Sequence, residues 1–339
     1  MPDFKPIRRL GNGHFGEVHL AQDQAVNELR AVKFVPAANV VDPNNVYSEP
    51  QTLTQLRHEN IVTVYDAGPT SDGIYVSMEF LPDGSVTDRF GSGPLPIGLA
   101  LSVVCDACRG LQYAHDMGFL HLDLKPGNLL VSADGIVKLS DFGLASPAGL
   151  PGAAISYTFH RSPEMVAGEP PTVLTDVYAM GATLCRLVKG DADALPPVPP
   201  GELADRIARG RFPERSRWDI HVPKAVRSAI RKSMAVDRTK RTASASAFRH
   251  SLERATPEVS FARTPGGAGI DHSWAGQSTA HEYSVVVAQI RGGSQVIVRR
   301  CQLGGQPWRV GELCSRHDDS AQALAAAEIV LQGLGSPKR

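Results

Sequence analysis

The 339-residue sequence lacks long apolar runs, an excess of either charge and an even set of cysteines. No stretch approaches the roughly 18 consecutive apolar residues that a membrane-spanning helix needs. The first residues contain no apolar block of the signal-peptide type, so we expect a cytoplasmic protein. Lys and Arg total 35 and equal the sum of Asp and Glu, so no overall electrostatic field favours nucleic acid or an anionic membrane.

The odd number of cysteines, five, indicates reduced thiols rather than a disulfide framework. Cys105 and Cys108 form a C-x-x-C pair, a spacing that binds metal or performs redox chemistry in other proteins. The pair lies in a helical pattern at 97–117, and no second ligand pair has matching spacing. We therefore interpret both thiols as core side chains.

The sequence pattern changes from strand to helix near Pro82. Short alternating segments in the first eighty residues predict strands, and residues 41–58 predict one helix with Asp42 as its cap. Residues 97–117 then show the apolar periodicity of a long helix, and the mostly apolar residues 175–188 predict a helix that is buried all round. Strands followed by helices favour an arrangement in two lobes.

The C-terminal region contains two further kinds of segment. Residues 255–279 are rich in Gly, Ser, Thr and Pro, and this composition predicts a flexible linker. Beyond it, two strand patterns flank "RGGS" at 291–294, and residues 318–335 predict a helix that begins at Asp319. We expect residues 280–339 to form a small α+β domain of unknown function.

The glycine-rich segment "GNGHFGEV" places Gly11, Gly13 and Gly16 between two predicted strands. Glycine allows backbone N–H groups to come close to phosphate oxygens. The same spacing occurs in dinucleotide-binding folds, where a helix must follow the turn. Here residues 17–22 alternate like a strand, so a dinucleotide-binding fold is excluded and a flap over nucleotide phosphates is favoured.

Lys33 follows this turn in a strand with apolar neighbours, which favours a contact with the α/β-phosphates over an ordinary solvated lysine. Its expected ion-pair partner is a glutamate on the next helix, and Glu49 suits this role. Pro50 disfavours helical angles at Glu49. We hypothesise that the Lys33–Glu49 ion pair is absent in the ligand-free state and forms when ATP or a partner binds.

The stretch "FLHLDLKPGNLLVSADGIVKLSDFG" at 119–143 contains an ordered set of polar side chains. Asp123 can accept a hydroxyl proton, and Lys125 can neutralise a transferring phosphoryl group. Asn128 and Asp141 offer the oxygen ligands that Mg²⁺ prefers. Any one acid alone would serve equally well as a turn cap, but the ordered set favours phosphoryl transfer with ATP and Mg²⁺.

The whole set resembles the protein kinase family of the Ser/Thr type, and is similar to bacterial members with the eukaryotic fold. The resemblance covers about residues 4–254 and includes "HLDLKPGN", "DFG", "SPE" at 162–164 and "DVYAMG" at 176–181. It implies an α+β, bilobal fold for residues 1–254, with a β-rich N-lobe at 1–81 and a helical C-lobe at 82–254. The small C-terminal α+β domain follows.

The resemblance also implies roles around the nucleotide. Adenine would bind the hinge at Glu79 and Leu81, beside a gatekeeper at Met78 and between Val18 and Ala31. Elsewhere, Glu164 would pair with Arg241, and Asp176 would anchor the catalytic loop.

Leu122 departs from the family, in which an arginine before the catalytic aspartate binds a phosphate on the activation loop. Leucine has neither a charge nor a hydrogen-bond donor, so we expect phosphotransfer without this switch. The segment before Ser162 agrees, because it has few hydroxyl groups. Thr158 is displaced by one residue from the usual substrate-side position.

We expect a Ser/Thr protein kinase that acts on a protein hydroxyl. The alternative is a pseudokinase that binds nucleotide as a scaffold, which Leu122, Pro50 and the shifted Thr158 favour. A small-molecule kinase is a third possibility, and the predicted Glu164–Arg241 pair argues against it. We expect no nucleic-acid partner and no membrane span, and we expect residues 280–335 to dock a regulator or a substrate.

Overall fold

A computed structural model describes residues 4–13, 16–36, 54–142, 146–147, 158–199 and 201–336. The chain begins with a five-stranded antiparallel sheet, in the order β1-β2-β3-β5-β4. This sheet confirms the β-rich N-lobe. Most of the helix predicted at 41–58 lies outside the described residues, and residues 54–58 form a turn and irregular backbone. The strands are β1 (Phe4–Gly13), β2 (Gly16–Asp23), β3 (Glu28–Pro36), β4 (Val64–Pro69) and β5 (Gly73–Glu79).

The helical lobe follows Pro82. Its core forms around α2 and α4, which correspond to the helices predicted at 97–117 and 175–188. As expected for a helix buried all round, α4 is buried from Thr175 to Val188. The helices are α1 (Val86–Phe90), α2 (Ile97–Asp116), α3 (Pro163–Val166), α4 (Val173–Lys189), α5 (Asp191–Ala194), α6 (Leu203–Ala208), α7 (Lys224–Ser233) and α8 (Ala245–Ala255). Two short strand pairs lie beside them: β6 (Phe119–Leu120) with β9 (Ser146–Pro147), and β7 (Leu129–Val131) with β8 (Val137–Leu139).

The thiols of the C-x-x-C pair lie in the core of the helical lobe. Burial raises the pKa of Cys105 to about 11 and keeps that of Cys108 well above its ordinary value. No cluster of metal-ligating side chains occurs among the described residues. The interpretation of both cysteines as core side chains is therefore confirmed.

The expected Glu164–Arg241 pair is present and almost completely buried. Arg241 donates from Nη1 to Oε1 at 2.6 Å and from Nη2 to Oε2 at 3.0 Å, and its Nη1 also reaches the Leu174 carbonyl at 2.9 Å. Burial raises the pKa of Glu164, but its hydrogen bonds and charge interaction with Arg241 outweigh this effect, so the net pKa is lowered. A two-point bond of this kind is the geometry that offsets the desolvation of buried charges.

The C-terminal unit is a second antiparallel sheet, in the order β10-β11-β12-β13-β14, with β15 also paired to β13. Helix α9 (Ser320–Leu334) packs on one face, and the prediction of this helix with its Asp319 cap is confirmed. The hairpin predicted around 291–294 joins β12 to β13. The strands are β10 (Ser260–Thr264), β11 (Ile270–Gln277), β12 (His281–Ile290), β13 (Gly293–Gln302), β14 (Trp308–Arg309) and β15 (Ser315–His317).

The prediction of a flexible linker at 255–279 is wrong for β10 and β11. Phe261 and Trp274 are both 1% exposed and belong to the core under α9. Gly276 contributed to the linker composition, yet the Phe261 ring occupies the space that a Cβ would need there. The small residues therefore accommodate large neighbours, and the C-terminal unit starts near Ser260 rather than at residue 280.

The C-terminal sheet is docked on the helical lobe. Trp274 donates its indole N–H to Asp219 Oδ1 at 2.9 Å, and Gln332 of α9 donates to the Ile220 carbonyl at 2.7 Å. At the start of α2, the Gly98 N–H donates to Ser260 Oγ at 2.7 Å. Burial raises the pKa of Asp219, but the bonds from His221 and Trp274 outweigh burial and lower it well below its usual range.

No helix in the described part of the chain is both long and apolar enough to cross a membrane.

The Trp274→Phe variant tests this docking. It keeps an aromatic ring but removes the N–H bond to the partly buried Asp219 carboxylate, so we expect a loss of about 2 kcal/mol in the free energy of unfolding. Chemical denaturation followed by circular dichroism measures the loss. Trp308→Phe is the matched control because Trp308 is 42% exposed. Equal stability of the two variants would contradict the docking bond.

Candidate active site

The loop between β6 and β7 is held by Asp176, a fully buried residue near the start of α4. Its Oδ2 accepts from the His121 N–H and from His115 Nε2, and its Oδ1 accepts from the Leu122 N–H, each at 2.8 Å. Burial raises the pKa of Asp176, but the bond and charge of His115 outweigh burial and lower it. The carboxylate is thus an acceptor for the loop backbone, as the resemblance implied.

Leu122 has left-handed backbone angles, with φ of 63°, and its side chain is 3% exposed. It packs against Leu120 and Val173 in a small apolar cluster. This conformation costs about 1–2 kcal/mol for a residue with a Cβ. Asp141 also has a left-handed φ, of 57°, which an aspartate adopts more readily than a leucine does. Strained residues persist only where the surrounding structure fixes them, and they concentrate at functional sites.

Asp123, Lys125 and Asn128 meet at the end of this loop. Lys125 Nζ donates to Asp123 Oδ2 at 2.6 Å, and Asn128 Nδ2 donates to the same oxygen at 2.9 Å. Asn128 Nδ2 also donates to the Asp123 carbonyl at 2.8 Å. Because these bonds use the amide nitrogen, the side-chain oxygen of Asn128 is the atom that can serve a cation.

Lys33 from the N-lobe and Asp141 from the helical lobe form an ion pair of 2.7 Å across the cleft. Burial raises the pKa of the Asp141 carboxyl, but the Lys33 ammonium outweighs burial and lowers it overall. His121 Nε2 lies 3.0 Å from the Ser140 carbonyl, and its ring packs 4.5 Å from the ring of Phe142. The residues on either side of Asp141 are therefore held to the loop that carries Asp123.

A cleft of about 710 Å³ lies between the two lobes. Most of the predicted site residues line it, although their separation in sequence exceeds one hundred positions. These are Gly11, Val18, Ala31, Lys33, Met78, Glu79, Leu81, Asp123, Lys125, Asn128 and Asp141. Gly16 is not among the lining residues that the structure describes. The surroundings of Gly13 lie outside that description, as do Glu49 and Pro50.

The three glycines of the predicted flap differ in their surroundings. A Cβ at Gly11 would meet no atom within 4 Å, so this glycine borders open space in the cleft. A Cβ at Gly16 would collide with the Phe34 carbonyl of β3. Gly13 pairs with Gly16 across β1 and β2. The structure therefore gives Gly16 a packing reason in addition to the predicted phosphate contact.

Glu79 is engaged through its side chain at the back of the hinge. Lys138 of β8 donates to both carboxylate oxygens, at 2.8 and 2.9 Å, and the Thr63 N–H donates to Oε2 at 3.3 Å. A ligand at Glu79 would therefore meet its main chain rather than its carboxylate. Lys138 could not be recognised from the sequence, because one lysine in a short strand resembles a solvated residue.

His160 is a second residue that the sequence analysis missed. Its Nδ1 donates to the Leu124 carbonyl at 2.6 Å, and its Nε2 lies 3.3 Å from Arg186 Nη1 and accepts from it. Arg186 also binds Asp191 through two bonds of 2.7 Å. Burial, followed by the Arg186 charge, lowers the pKa of His160 to about 3. A neutral imidazole thus connects α4 to the residue after Asp123.

The model of the family described as "Protein kinase domain" matches residues 4–252. "Serine/threonine-protein kinase Pkn1" of Myxococcus xanthus is 32% identical over 286 residues, covering 79% of this chain and 41% of that protein. "Serine/threonine-protein kinase PknB" of Mycobacterium leprae is 32% identical over 224 residues, covering 62% and 36%. "Serine/threonine-protein kinase PrkC" of Bacillus subtilis is 30% identical over 250 residues, covering 69% and 37%. The chain thus spans about two fifths of the length of these curated relatives.

The His160→Gln variant tests the burial of this imidazole. The pKa of His160 is about 3 in the folded chain and is expected near 6.5 in the unfolded chain, so protonation favours unfolding. Its contribution to stability is complete above pH 6.5 and is lost progressively as the pH falls toward 3. Calorimetry should show a steeper loss of Tm on acidification for the natural chain than for the variant. Parallel curves of Tm against pH for the two proteins would contradict the assignment of His160 as a buried, neutral imidazole.

Proposed function

This chain belongs to the protein kinase family, among its bacterial Ser/Thr members, and from that premise we propose that it transfers the γ-phosphoryl group of ATP to a protein hydroxyl. The observation that carries the proposal is the meeting of Lys33, Asp123, Asn128 and Asp141 in one interlobe cleft. Their residue types supply a phosphate contact, a proton acceptor and two oxygen ligands for a hard cation.

The donor set fits Mg²⁺. The Asn128 side-chain oxygen and the Asp141 carboxylate would hold the ion, and both are the oxygen ligands that it prefers. When bound, Mg²⁺ neutralises negative charge on the nucleotide phosphates. In the structure Lys33 occupies one oxygen of Asp141. We propose that Lys33 turns to the α/β-phosphates when nucleotide enters, which leaves Asp141 for the cation.

Asp123 would orient the attacking hydroxyl and accept its proton. Lys125, 2.6 Å from Asp123, is placed to neutralise charge on the phosphoryl group during transfer. Asn128 also donates to Asp123 and so restricts its side chain. The strained backbone at Leu122 and the bonds to Asp176 hold this group before any substrate arrives, which favours transfer by reducing reorganisation.

For the nucleotide base, we propose a site between Val18 and Ala31, next to Met78 and the hinge at Glu79 and Leu81. All five residues line the cleft. Because Lys138 and Thr63 engage the Glu79 carboxylate, the contact to adenine would come from the main chain. The pairing of Lys33 with Glu49 remains a proposal for the ATP-bound state, in which Asp141 would release Lys33.

The surroundings of Leu122 support control that does not use a phosphorylated activation loop. Its side chain lies in an apolar cluster and offers nothing to bind a phosphate. The anchoring that Asp176 supplies to Leu122 uses the backbone N–H, so it does not depend on the side chain at this position. We propose that the catalytic loop is assembled without this modification.

The Asp123→Asn variant tests phosphoryl transfer. We expect a rate about 10²- to 10⁴-fold lower with radiolabelled ATP and Mg²⁺, because the amide cannot accept the proton. ATP binding, followed by calorimetry, should persist. Asp134→Asn is the matched control, since Asp134 is exposed in the turn between β7 and β8. A natural chain that binds ATP without any turnover would overturn the kinase proposal in favour of a pseudokinase scaffold.

Treatment with a broad-specificity phosphatase tests the control mechanism. We expect the initial rate of the natural chain to stay within about twofold of the untreated rate, because no arginine precedes Asp123 to bind a loop phosphate. Mass spectrometry would verify complete dephosphorylation, and the phosphatase would be removed before the assay. A large loss of rate that returns after rephosphorylation would show that a phosphate-dependent switch exists.

A further inference from the structure

The C-terminal sheet has one face toward α9 and one face away from it. Val285, Val287, Val296 and Val298 belong to the core under α9. Side chains alternate along a strand, so the residues between these valines project to the opposite side, which we call the open face. Ser284 and Ile297 lie on the open face, and both remain partly exposed.

Three arginines lie at one side of the open face. Arg299 of β13 is opposite both Ser284 of β12 and Arg309 of β14. Arg316 of β15 is opposite Gln295 of β13. Gln295 lies two residues before Ile297 and therefore on the same face. Directly paired residues share a face of the sheet. All three arginines are exposed. None of them forms an ion pair with a carboxylate among the residues that the structure describes.

The pairing of Arg299 with Arg309 places two like charges directly opposite each other, which destabilises a sheet. The acidic residue on this face is Glu282, which is opposite Cys301 and within 3.6 Å of its thiol. The open face therefore has an excess of positive charge beside small and apolar side chains. Carboxylates bound between the arginines would relieve the repulsion.

We propose that the open face docks an Asp/Glu-rich segment of a partner protein. The planar guanidinium binds carboxylates through two parallel bonds, and the partly exposed Ile297 offers apolar surface beside them. A nucleic acid is disfavoured because stacking needs aromatic side chains. The aromatic residues Trp274, Tyr283 and Trp308 occupy the alternate register positions, on the α9 side.

The net charge of the chain, zero at neutral pH, gives no overall field that would attract a nucleic acid. Nucleic-acid affinity comes mainly from neutralising many phosphates, and three arginines supply few of these contacts. This docking does not require phosphoryl transfer, so the Asp123→Asn variant should retain it. A failure of docking and a failure of the proposed kinase activity would therefore be seen in separate assays.

Fluorescence anisotropy of the full chain with a labelled glutamate-rich peptide tests the proposal. We expect the Arg299→Glu/Arg309→Glu variant to bind at least about tenfold more weakly than the natural chain. The control, Arg254→Glu/Arg291→Glu, makes the same charge change at two exposed arginines outside the open face. It should bind nearly as well as the natural chain. Arg299→Gln/Arg309→Gln removes the charges without reversing them and should give an intermediate loss.

Circular dichroism would verify that each variant is folded. If the Arg299→Glu/Arg309→Glu variant does not fold, the Arg299→Gln/Arg309→Gln variant replaces it in the binding test. Equal weakening in the control would overturn the proposal, because it would show general charge attraction. Absence of peptide binding by the natural chain would also overturn it. More effective competition by single-stranded DNA, or by a serine-phosphorylated peptide of equal charge, would overturn the assignment to Asp/Glu-rich segments.

Discussion

The buried carboxylate of Asp176 is the constraint on which the candidate site depends. It accepts three hydrogen bonds, two of them from the backbone of the loop that presents Asp123. A buried charge is expensive unless its bonds are complete, so the structure that satisfies Asp176 also fixes the loop. The left-handed conformation of Leu122 follows from this anchoring, since the neighbouring N–H groups must both turn toward one carboxylate.

The ion pairs and the neutral histidine around Asp176 differ in their exposure to solvent and in the segments that they connect. The Glu164–Arg241 pair is closed to solvent and joins segments of the helical lobe. The Lys33–Asp141 pair lies in the cleft, where the proposed nucleotide and cation would replace it. His160 remains uncharged beside Arg186, so it connects α4 to the catalytic loop without adding another charge near Asp123.

The sequence was informative where residue type alone restricts chemistry. Lys33, Asp123, Asn128 and Asp141 were selected because few other side chains can contact phosphates or magnesium, and the structure brings all four to one cleft. The long helices follow from their apolar patterns. His160 and the Lys138–Glu79 pair were not predictable, because their roles depend on partners far away in the chain. The strands β10 and β11 were missed since composition does not show that Phe261 fills the space beside Gly276.

The attachment of the C-terminal sheet has a geometric consequence. The bonds from Trp274 to Asp219, from Gln332 to Ile220 and from Gly98 to Ser260 hold the sheet at several points on the helical lobe. A sheet that is held at these points cannot change its position relative to the helical lobe, as a domain on a flexible linker can. A partner bound to the sheet would therefore lie at a constant distance from the cleft. The distance along that partner between its bound segment and a hydroxyl group, rather than local sequence alone, would then determine which hydroxyl enters the cleft.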